Sequence, residues 1–128
     1  MTIRIVQLGS PRKRGEGVRL GTVRRPPRGV PKARYARDDW FDVWLPNLSP
    51  SPELMSWFRT TASVTAAAAF RRRFRAEMSR PETSRLLDAL AALSQAADFS
   101  LGCYCEDESR CHRSVLRDLL LERRARVE

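Results

Sequence analysis

The amino-acid sequence predicts one α/β domain, residues 1–128, with a small, mostly parallel sheet flanked by helices. A chain of 128 residues has the usual length of one domain. Its hydrophobic fraction of 42% is large enough to build a core, which excludes a wholly disordered protein. Short apolar, β-branched segments are followed along the chain by segments with helical periodicity, and this order is typical of a parallel sheet covered by helices.

Four segments are predicted to form strands. Residues 3–8 (IRIVQL) are apolar and β-branched, and a Gly-Ser-Pro turn follows them. Residues 18–23 are a weaker candidate that ends shortly before a pair of prolines. Residues 39–45 contain two tryptophans and are predicted to form either a short strand or a helical turn. Residues 98–104 (DFSLGCY) are the best strand candidate in the second half of the chain.

Two helices are predicted between residues 51 and 78. Ser51 suits the N-cap and Pro52 suits the first helical position, so a helix is expected to begin there. Residues 66–78 have apolar side chains four positions apart, which predicts an amphipathic helix. Its buried face is expected to consist of Phe70, Phe74 and Met78.

Two more helices are predicted in the second half of the chain. Ser79 and Glu82 form a capping-box pattern around Pro81, which predicts the start of the third helix. The inward face of that helix is expected to contain Leu86, Leu87, Leu90 and Leu93. A last helix follows the final strand, with an inward face of Val115, Leu116, Leu119 and Leu120.

Positive charge is concentrated in the first third of the chain. The protein has 24 Lys and Arg against 15 Asp and Glu, a formal net charge of +9 and a pI near 10.9. Residues 1–37 carry 11 basic side chains and one acidic side chain, Glu16, whereas residues 38–128 are nearly balanced at −1. Since 22 of the basic residues are Arg, the charge suits phosphate or carboxylate ligands, although a compositional Arg bias explains it equally well.

Several classes of protein are excluded or disfavoured by the sequence. No apolar run approaches the roughly 20 residues needed to cross a bilayer, and the first residues do not resemble a secretory signal. Three cysteines are too few for a disulfide scaffold, so we expect a cytoplasmic protein with reduced thiols and no membrane partner. The basic segment 1–37 makes nucleic acid a further possible partner. However, the sequence contains no helix-turn-helix, zinc-finger spacing or aromatic RNA-binding pattern.

Every cysteine and the single histidine lie within eleven residues of one another. The segment runs from Cys103 and Cys105 to Cys111, His112 and Arg113, at the predicted turn from the last strand into the last helix. In α/β folds, ligands bind where strands end and helices begin. This segment, within the strand-loop-helix unit 98–126, is therefore the candidate site.

Four interpretations of these residues remain open from the sequence. Cys111 at a helix N-terminus can be an activated thiolate, with His112 as its base and Arg113 as a charge clamp. Alternatively, zinc or iron can bind Cys103, Cys105, Cys111 and His112, although neighbours about 100° apart on a helix require a distorted first turn. Two of the thiols can instead cycle with a disulfide. The cysteines can also simply pack in the core.

An arginine- and proline-rich loop at residues 24–30 (RRPPRGV) follows the second predicted strand. The prolines stiffen this loop, and Gly29 permits a close approach of the backbone to a ligand. Arg24 and Arg28 are therefore candidate ligands for a phosphate or carboxylate, with a solvated basic loop as the alternative.

Five segments of the chain resemble the domain of unknown function 488 family, the YeaO-like proteins. The resemblance rests on residues 19–32, 39–40 (DW), 48–58 (LSPSPELMSWF) and 70–77 (FRRRFRAE), and it covers nearly the whole chain. The Cys-x-Cys-x5-Cys-His-Arg segment at 103–113 is similar to one branch of that family. Arg25 and Pro26 stand where many relatives have Leu-Trp. The resemblance implies a compact, Rossmann-like α/β domain and specifies no activity.

The sequence as a whole favours a small cytoplasmic protein that binds an anionic, phosphate-bearing and nucleotide-like molecule. In the leading hypothesis Arg24 and Arg28 hold the anion, and the Cys111 thiolate acts on it with His112 and Arg113. The alternatives are an accessory protein that uses the Cys/His cluster for zinc, iron or thiol redox chemistry, and a nucleic-acid-binding accessory domain.

Overall fold

The computed structural model describes residues 1–61 and 63–128 and contains one four-stranded, all-parallel sheet. The strands are β1 (Ile3–Gln7), β2 (Val18–Gly21), β3 (Val43–Trp44) and β4 (Phe99–Cys103). Their order across the sheet is β1-β4-β2-β3, so the last strand of the chain lies between the first two. The predicted α/β class and parallel sheet are confirmed, and residues 39–45 contribute a strand rather than a helical turn.

The four helices are α1 (Pro52–Thr60), α2 (Ala66–Met78), α3 (Pro81–Leu93) and α4 (His112–Glu122). The start of α1 follows the sequence prediction, because Pro52 is its first residue and the Ser51 hydroxyl accepts a hydrogen bond from the Leu54 amide at 3.1 Å. The predicted bounds of α2 are confirmed at both ends. No helix in the described part of the chain is both long and apolar enough to cross a bilayer.

Two sequence predictions about α3 are wrong. Its N-cap is Arg80, which makes no side-chain capping bond, and the Ser79 hydroxyl donates to the Ala76 carbonyl instead of forming a capping box. Pro81 occupies the first helical position, so the capping position falls one residue after Ser79. Leu93 is 52% exposed, because the buried face of the helix turns through Leu87, Leu90, Ala91 and Ser94.

The main hydrophobic core lies between the helices and one face of the sheet. Ile3, Phe99 and Leu101 on the strands pack in one cluster with residues of all four helices. The predicted inward side chains of α2 and α4 are buried in this cluster. A second, smaller cluster lies at the end of the sheet and consists of Leu8, Val23, Phe41, Cys103 and Cys111.

The opposite face of the sheet is covered by loops that are held by a buried ion pair. The Arg19 guanidinium donates to Glu16 at 2.7 and 2.9 Å, and both side chains are almost fully buried. Arg19 also donates to the carbonyls of Ser10 and Asp39, and Ser100 on β4 donates to Glu16 at 2.8 Å. The ion pair therefore ties the loops after β1 and before β3 to the central strand.

Candidate functional site

The candidate site lies where the central strands β2 and β4 end side by side. Gly21 pairs with Gly102 in the last register position of these two strands. Thr22, the residue after β2, donates from its amide to the Gly102 carbonyl at 2.9 Å. Cys103 is the last residue of β4, and the turn into α4 follows it. The strand order therefore brings Thr22 to the cysteine segment, although eighty or more residues separate them in sequence.

Cys111 is the N-cap of α4 and has an extended backbone, with φ −120° and ψ 155°. His112 is the first residue of the helix. The expected 100° divergence of helical neighbours does not apply to this pair, because only one of the two residues is helical. The Cys111 Sγ and His112 Nδ1 atoms lie 3.6 Å apart, so both can face one point without distortion of α4.

Three buried side chains form a compact donor cluster, which we define as Cys103, Cys111 and His112. One donor atom from each of them lies within 4.8 Å of the other two. The more exposed Cys105 adjoins the cluster, with its Sγ 3.9 Å from the Cys103 Sγ. All three cysteines are free thiols.

The distances in this region match those around a tetrahedral zinc ion. Bonds of about 2.3 Å to sulfur and about 2.0 Å to nitrogen separate two sulfur ligands by about 3.8 Å. The same bonds separate a sulfur from a nitrogen ligand by about 3.5 Å. Within the donor cluster, the observed separation is 3.6 Å between the Cys111 sulfur and His112 Nδ1. The Cys103 and Cys105 sulfurs are 3.9 Å apart, but Cys105 lies outside the donor cluster. Three thiols and an imidazole also form a donor set that suits zinc or iron.

Thr22, the residue that follows β2, fixes the orientation of the His112 ring. Its Nε2 lies 2.8 Å from the Thr22 carbonyl oxygen, which can only accept, so Nε2 carries a proton and donates it. The Thr22 hydroxyl lies 3.3 Å from the same nitrogen and donates its own proton to the Gly102 carbonyl at 2.9 Å. The ring also packs edge-on against Phe74, at 5.4 Å between centroids. In the neutral ring, Nδ1 therefore directs its lone pair toward Cys111.

Arg113 makes internal hydrogen bonds and is 2% exposed. Its guanidinium donates to the Val6 carbonyl at 2.5 Å and to the Cys105 carbonyl at 2.6 Å, and its Nε donates to the Cys111 sulfur at 3.4 Å. These bonds connect the end of β1, the loop after β4 and the start of α4. Arg113 therefore positions the cysteines and stabilises negative charge on Cys111.

The surroundings shift the pKa values of the three thiols in different directions. Hydrogen bonds with Cys103 and Cys105 lower the pKa of Cys111 well below its ordinary value. The bond with Cys105 raises the pKa of Cys103, and Cys111 and burial raise it further. For Cys105, the bond with Cys103 lowers the pKa, but Cys111 and burial raise it more. Of the three thiols, Cys111 is therefore the one whose ionised form its surroundings favour.

A cavity of about 430 Å³, called the Cys/His cavity below, is lined by the donor cluster and Cys105. One wall is apolar and contains Met55, Phe58 and Phe70. Basic side chains line the same space, and we call them the cavity arginines: Arg24, Arg25, Arg59 and Arg110. None of the described residues that line the cavity is Asp or Glu. The cavity therefore offers one apolar wall and a positive environment to a ligand.

A comparison with protein families identifies the chain over nearly its whole length. Residues 3–124 match the family described as the active DUF488-N3 subclade. The chain belongs to the DUF488 family. No curated protein and no solved structure matches it. The resemblance seen in the sequence is thus confirmed for the family.

Most of the residues that the sequence analysis proposed for this DUF488 protein line the Cys/His cavity, but Arg28 does not. Cys103, Cys111 and His112 form the donor cluster. Arg24 lines the Cys/His cavity, where its guanidinium donates to the carbonyls of Ser49 and Pro50. Arg28 lies outside that cavity, in a groove beside it.

Sequence reasoning missed Thr22, Arg59 and Arg110 in the DUF488 site. The sequence could have indicated Thr22 as a site residue, because it lies at the end of a predicted parallel strand, where ligands bind in α/β folds. No sequence feature distinguishes Arg59 and Arg110 from the many other arginines, and only the folded chain brings both to the cavity.

Proposed function

We propose that this DUF488 protein is a metal-dependent enzyme that acts on an anionic substrate. In this proposal Cys103, Cys111 and His112 hold zinc or iron, and the cavity arginines bind the negative charge of the substrate. The observation that carries the proposal is the donor cluster, in which three buried donor atoms lie within 4.8 Å of one another beside a cavity.

The contacts of His112 support a metal ligand. Histidines that bind metals usually donate their second ring N–H to a carbonyl or carboxylate, which fixes the free nitrogen toward the ion. The bond from His112 Nε2 to the Thr22 carbonyl, at 2.8 Å, is of this kind. The N–H that Arg113 donates to the Cys111 sulfur, at 3.4 Å, supports a thiolate ligand at that position.

A catalytic role is favoured by the open side of the cluster. Catalytic zinc sites commonly have three protein ligands and leave one position for water or substrate, whereas structural sites are closed by four. Cys103, Cys111 and His112 supply three ligands beside the Cys/His cavity. A metal ion there supplies Lewis-acid activation of a bound oxygen. The description of the matching subclade as active agrees with catalysis.

The proposal requires a reducing compartment, which agrees with the expected cytoplasmic location. The Cys103 and Cys105 sulfurs are 3.9 Å apart and are free thiols. A disulfide between them would remove one ligand of the donor cluster.

Metal analysis tests this proposal directly. We expect untagged protein, purified without chelator or nickel, to contain about one equivalent of zinc or iron. Cys111→Ser and Cys103→Ser are expected to lose the metal, whereas the matched variant Cys105→Ser retains it. Loss of metal from Cys105→Ser would instead indicate a closed, structural site. Metal-free protein with three titratable thiols would overturn the metal proposal.

The second candidate function is nucleophilic attack by the Cys111 thiolate, the leading hypothesis from the sequence. It is favoured by the Arg113 Nε donor 3.4 Å from the Cys111 sulfur and by the position of Cys111 on the cavity wall. In this case the protein is free of metal, and one thiol reacts with iodoacetamide at mildly acidic pH. Cys111→Ala is expected to abolish that reaction and leave the fold intact.

A further inference from the structure

A shallower groove of about 610 Å³ adjoins the Cys/His cavity. It is lined by Arg25, Pro26, Pro27, Arg28, Trp40 and Tyr104. Arg25 and Tyr104 also line the cavity, so the two spaces share a wall. A ligand in the groove can therefore extend to the donor cluster.

The aromatic part of the groove is held in place by the surrounding chain. The rings of Trp40 and Tyr104 lie 5.9 Å apart in an edge-to-face arrangement. The Trp40 ring packs on the backbone of Gly9, where an added Cβ would lie only 2.9 Å from a ring carbon. The Tyr104 hydroxyl donates to the Arg25 carbonyl at 2.8 Å, which ties this ring to the proline-rich loop. The groove thus has preformed aromatic surfaces that need little ordering when a flat ligand binds.

The charge of the groove continues that of the cavity. Arg25 and Arg28 are exposed, and neither forms an ion pair within residues 1–61 and 63–128. No Asp or Glu is among the described residues that line the groove. A matching ligand combines flat apolar rings with regularly spaced negative charges.

We propose that the groove and the Cys/His cavity together bind a single strand of nucleic acid. One base lies against Trp40 and Tyr104, its phosphates lie near Arg25 and Arg28, and the adjoining nucleotide enters the cavity. This inference rests on the proposed function for the identity of the reacting centre and adds the class of substrate. Basic grooves with aromatic platforms are the usual means by which proteins bind single strands.

The dimensions of the site favour a single strand over a duplex. A cavity of about 430 Å³ has the size of a small-ligand pocket, which suits one unpaired nucleotide better than a base pair. An acidic peptide would satisfy the arginines and leave the aromatic rings without a flat partner. Each nucleotide of a single strand supplies both a flat base for the aromatic rings and a negative phosphate for the arginines.

Fluorescence anisotropy with the full chain tests this inference. The probes are a labelled DNA strand of about 12 nucleotides of mixed sequence and a duplex of the same length. We expect the strand to bind more tightly than the duplex, with an affinity that falls steeply with salt. Trp40→Ala is expected to weaken binding about tenfold or more, and Trp40→Phe to retain most of it. Arg28→Ala is expected to lower the slope of log affinity against log salt by about 0.7.

The matched control for charge is Arg75→Ala, because Arg75 is ion-paired with Glu122 on the helical surface. Equal binding of strand and duplex, or equal effects of Arg28→Ala and Arg75→Ala, would overturn the inference. Competition by poly-glutamate as strong as that by unlabelled strand would also overturn it.

Measuring the metal content of each sample separates the two proposals. Protein that binds the strand without metal would overturn the proposed metal chemistry and support the strand site. Metal-loaded protein that fails to bind the strand would overturn the strand site and support the proposed metal site.

Discussion

Arginine side chains on the helical surface and those around the Cys/His cavity differ in their partners. Between the helices, Arg71 pairs with Asp118 at 3.0 Å, and Arg75 pairs with Glu122 at 2.8 Å. The four cavity arginines and Arg28 form no ion pair in the part of the chain that the structure describes. Some helical arginines, such as Arg72 and Arg85, also form no ion pair among the described residues, so pairing distinguishes particular arginines and not whole surfaces.

This difference bears on the origin of the arginine-rich composition. A compositional bias by itself distributes arginine without regard to function. The carboxylates, however, lie beside arginines of the helices and are absent from the described lining of the cavity and groove. We infer that the paired arginines contribute to stability and that the unpaired arginines lining the cavity and groove contribute to binding. The following predictions test that division.

The largest effect on stability is expected at the buried pair of Arg19 and Glu16. Removing one partner of a buried, hydrogen-bonded ion pair typically costs about 3–5 kcal/mol, because the other charge stays buried without compensation. Glu16→Gln and Arg19→Met are each expected to lower the free energy of unfolding by this amount, measured by urea denaturation. A loss below about 0.5 kcal/mol would show that the pair is not a structural clamp.

The same pair predicts loss of stability in acid. Burial alone raises the pKa of Glu16, but hydrogen bonds from Arg19 and Ser100 outweigh burial and lower the pKa from 4.5 to about 2. A lowered pKa stabilises the folded state above pH 4.5, and that stability is lost as pH falls toward 2. The loss is expected to be about 3 kcal/mol, from 1.36 kcal/mol per pKa unit. Unfolding measured between these pH values should show a clearly smaller pH dependence for Glu16→Gln than for wild type.

A smaller effect, confined to binding, is expected from the cavity arginines. In the double variant Arg59→Ala/Arg110→Ala, the affinity for pyrophosphate is expected to fall at least tenfold, since each charge-assisted hydrogen bond is worth about 1.5–3 kcal/mol. The free energy of unfolding should change by less than about 0.5 kcal/mol, because these side chains are exposed and unpaired. Calorimetric titration and urea denaturation of the same sample measure both quantities. Unchanged affinity, or a large loss of stability, would contradict the assignment of these arginines to binding.

The smallest effect is expected from an ion pair on the helical surface. Arg75→Ala should lower the free energy of unfolding by about 0.2–1 kcal/mol, as is usual for exposed pairs. Pyrophosphate affinity should stay at the wild-type value, because Arg75 lies outside the cavity lining. A fall in affinity as large as that of the cavity variants would mean that arginine contributes through net charge, regardless of position.

Much of the fold was predictable because its elements have strong local patterns. The β-branched run predicts β1, and the four-residue spacing of apolar side chains predicts α2. Ser51 and Pro52 specify the start of α1 through a bond within one turn. The capping box at Ser79 failed because the adjacent Pro81 sets the helix start, which moves the capping position to Arg80.

By itself the sequence determined the strands and helices, the family and the segment that carries the site, because each of these depends on residues close together in the chain. Tertiary structure alone decided the geometry of that site. The Thr22 carbonyl reaches His112 across ninety residues because β4 lies beside β2, and strand order is not encoded in any local period. Cys111 and His112 face one point because the helix begins between them. The unpaired arginines converge only where loops and helices from distant parts of the chain enclose the same cavity.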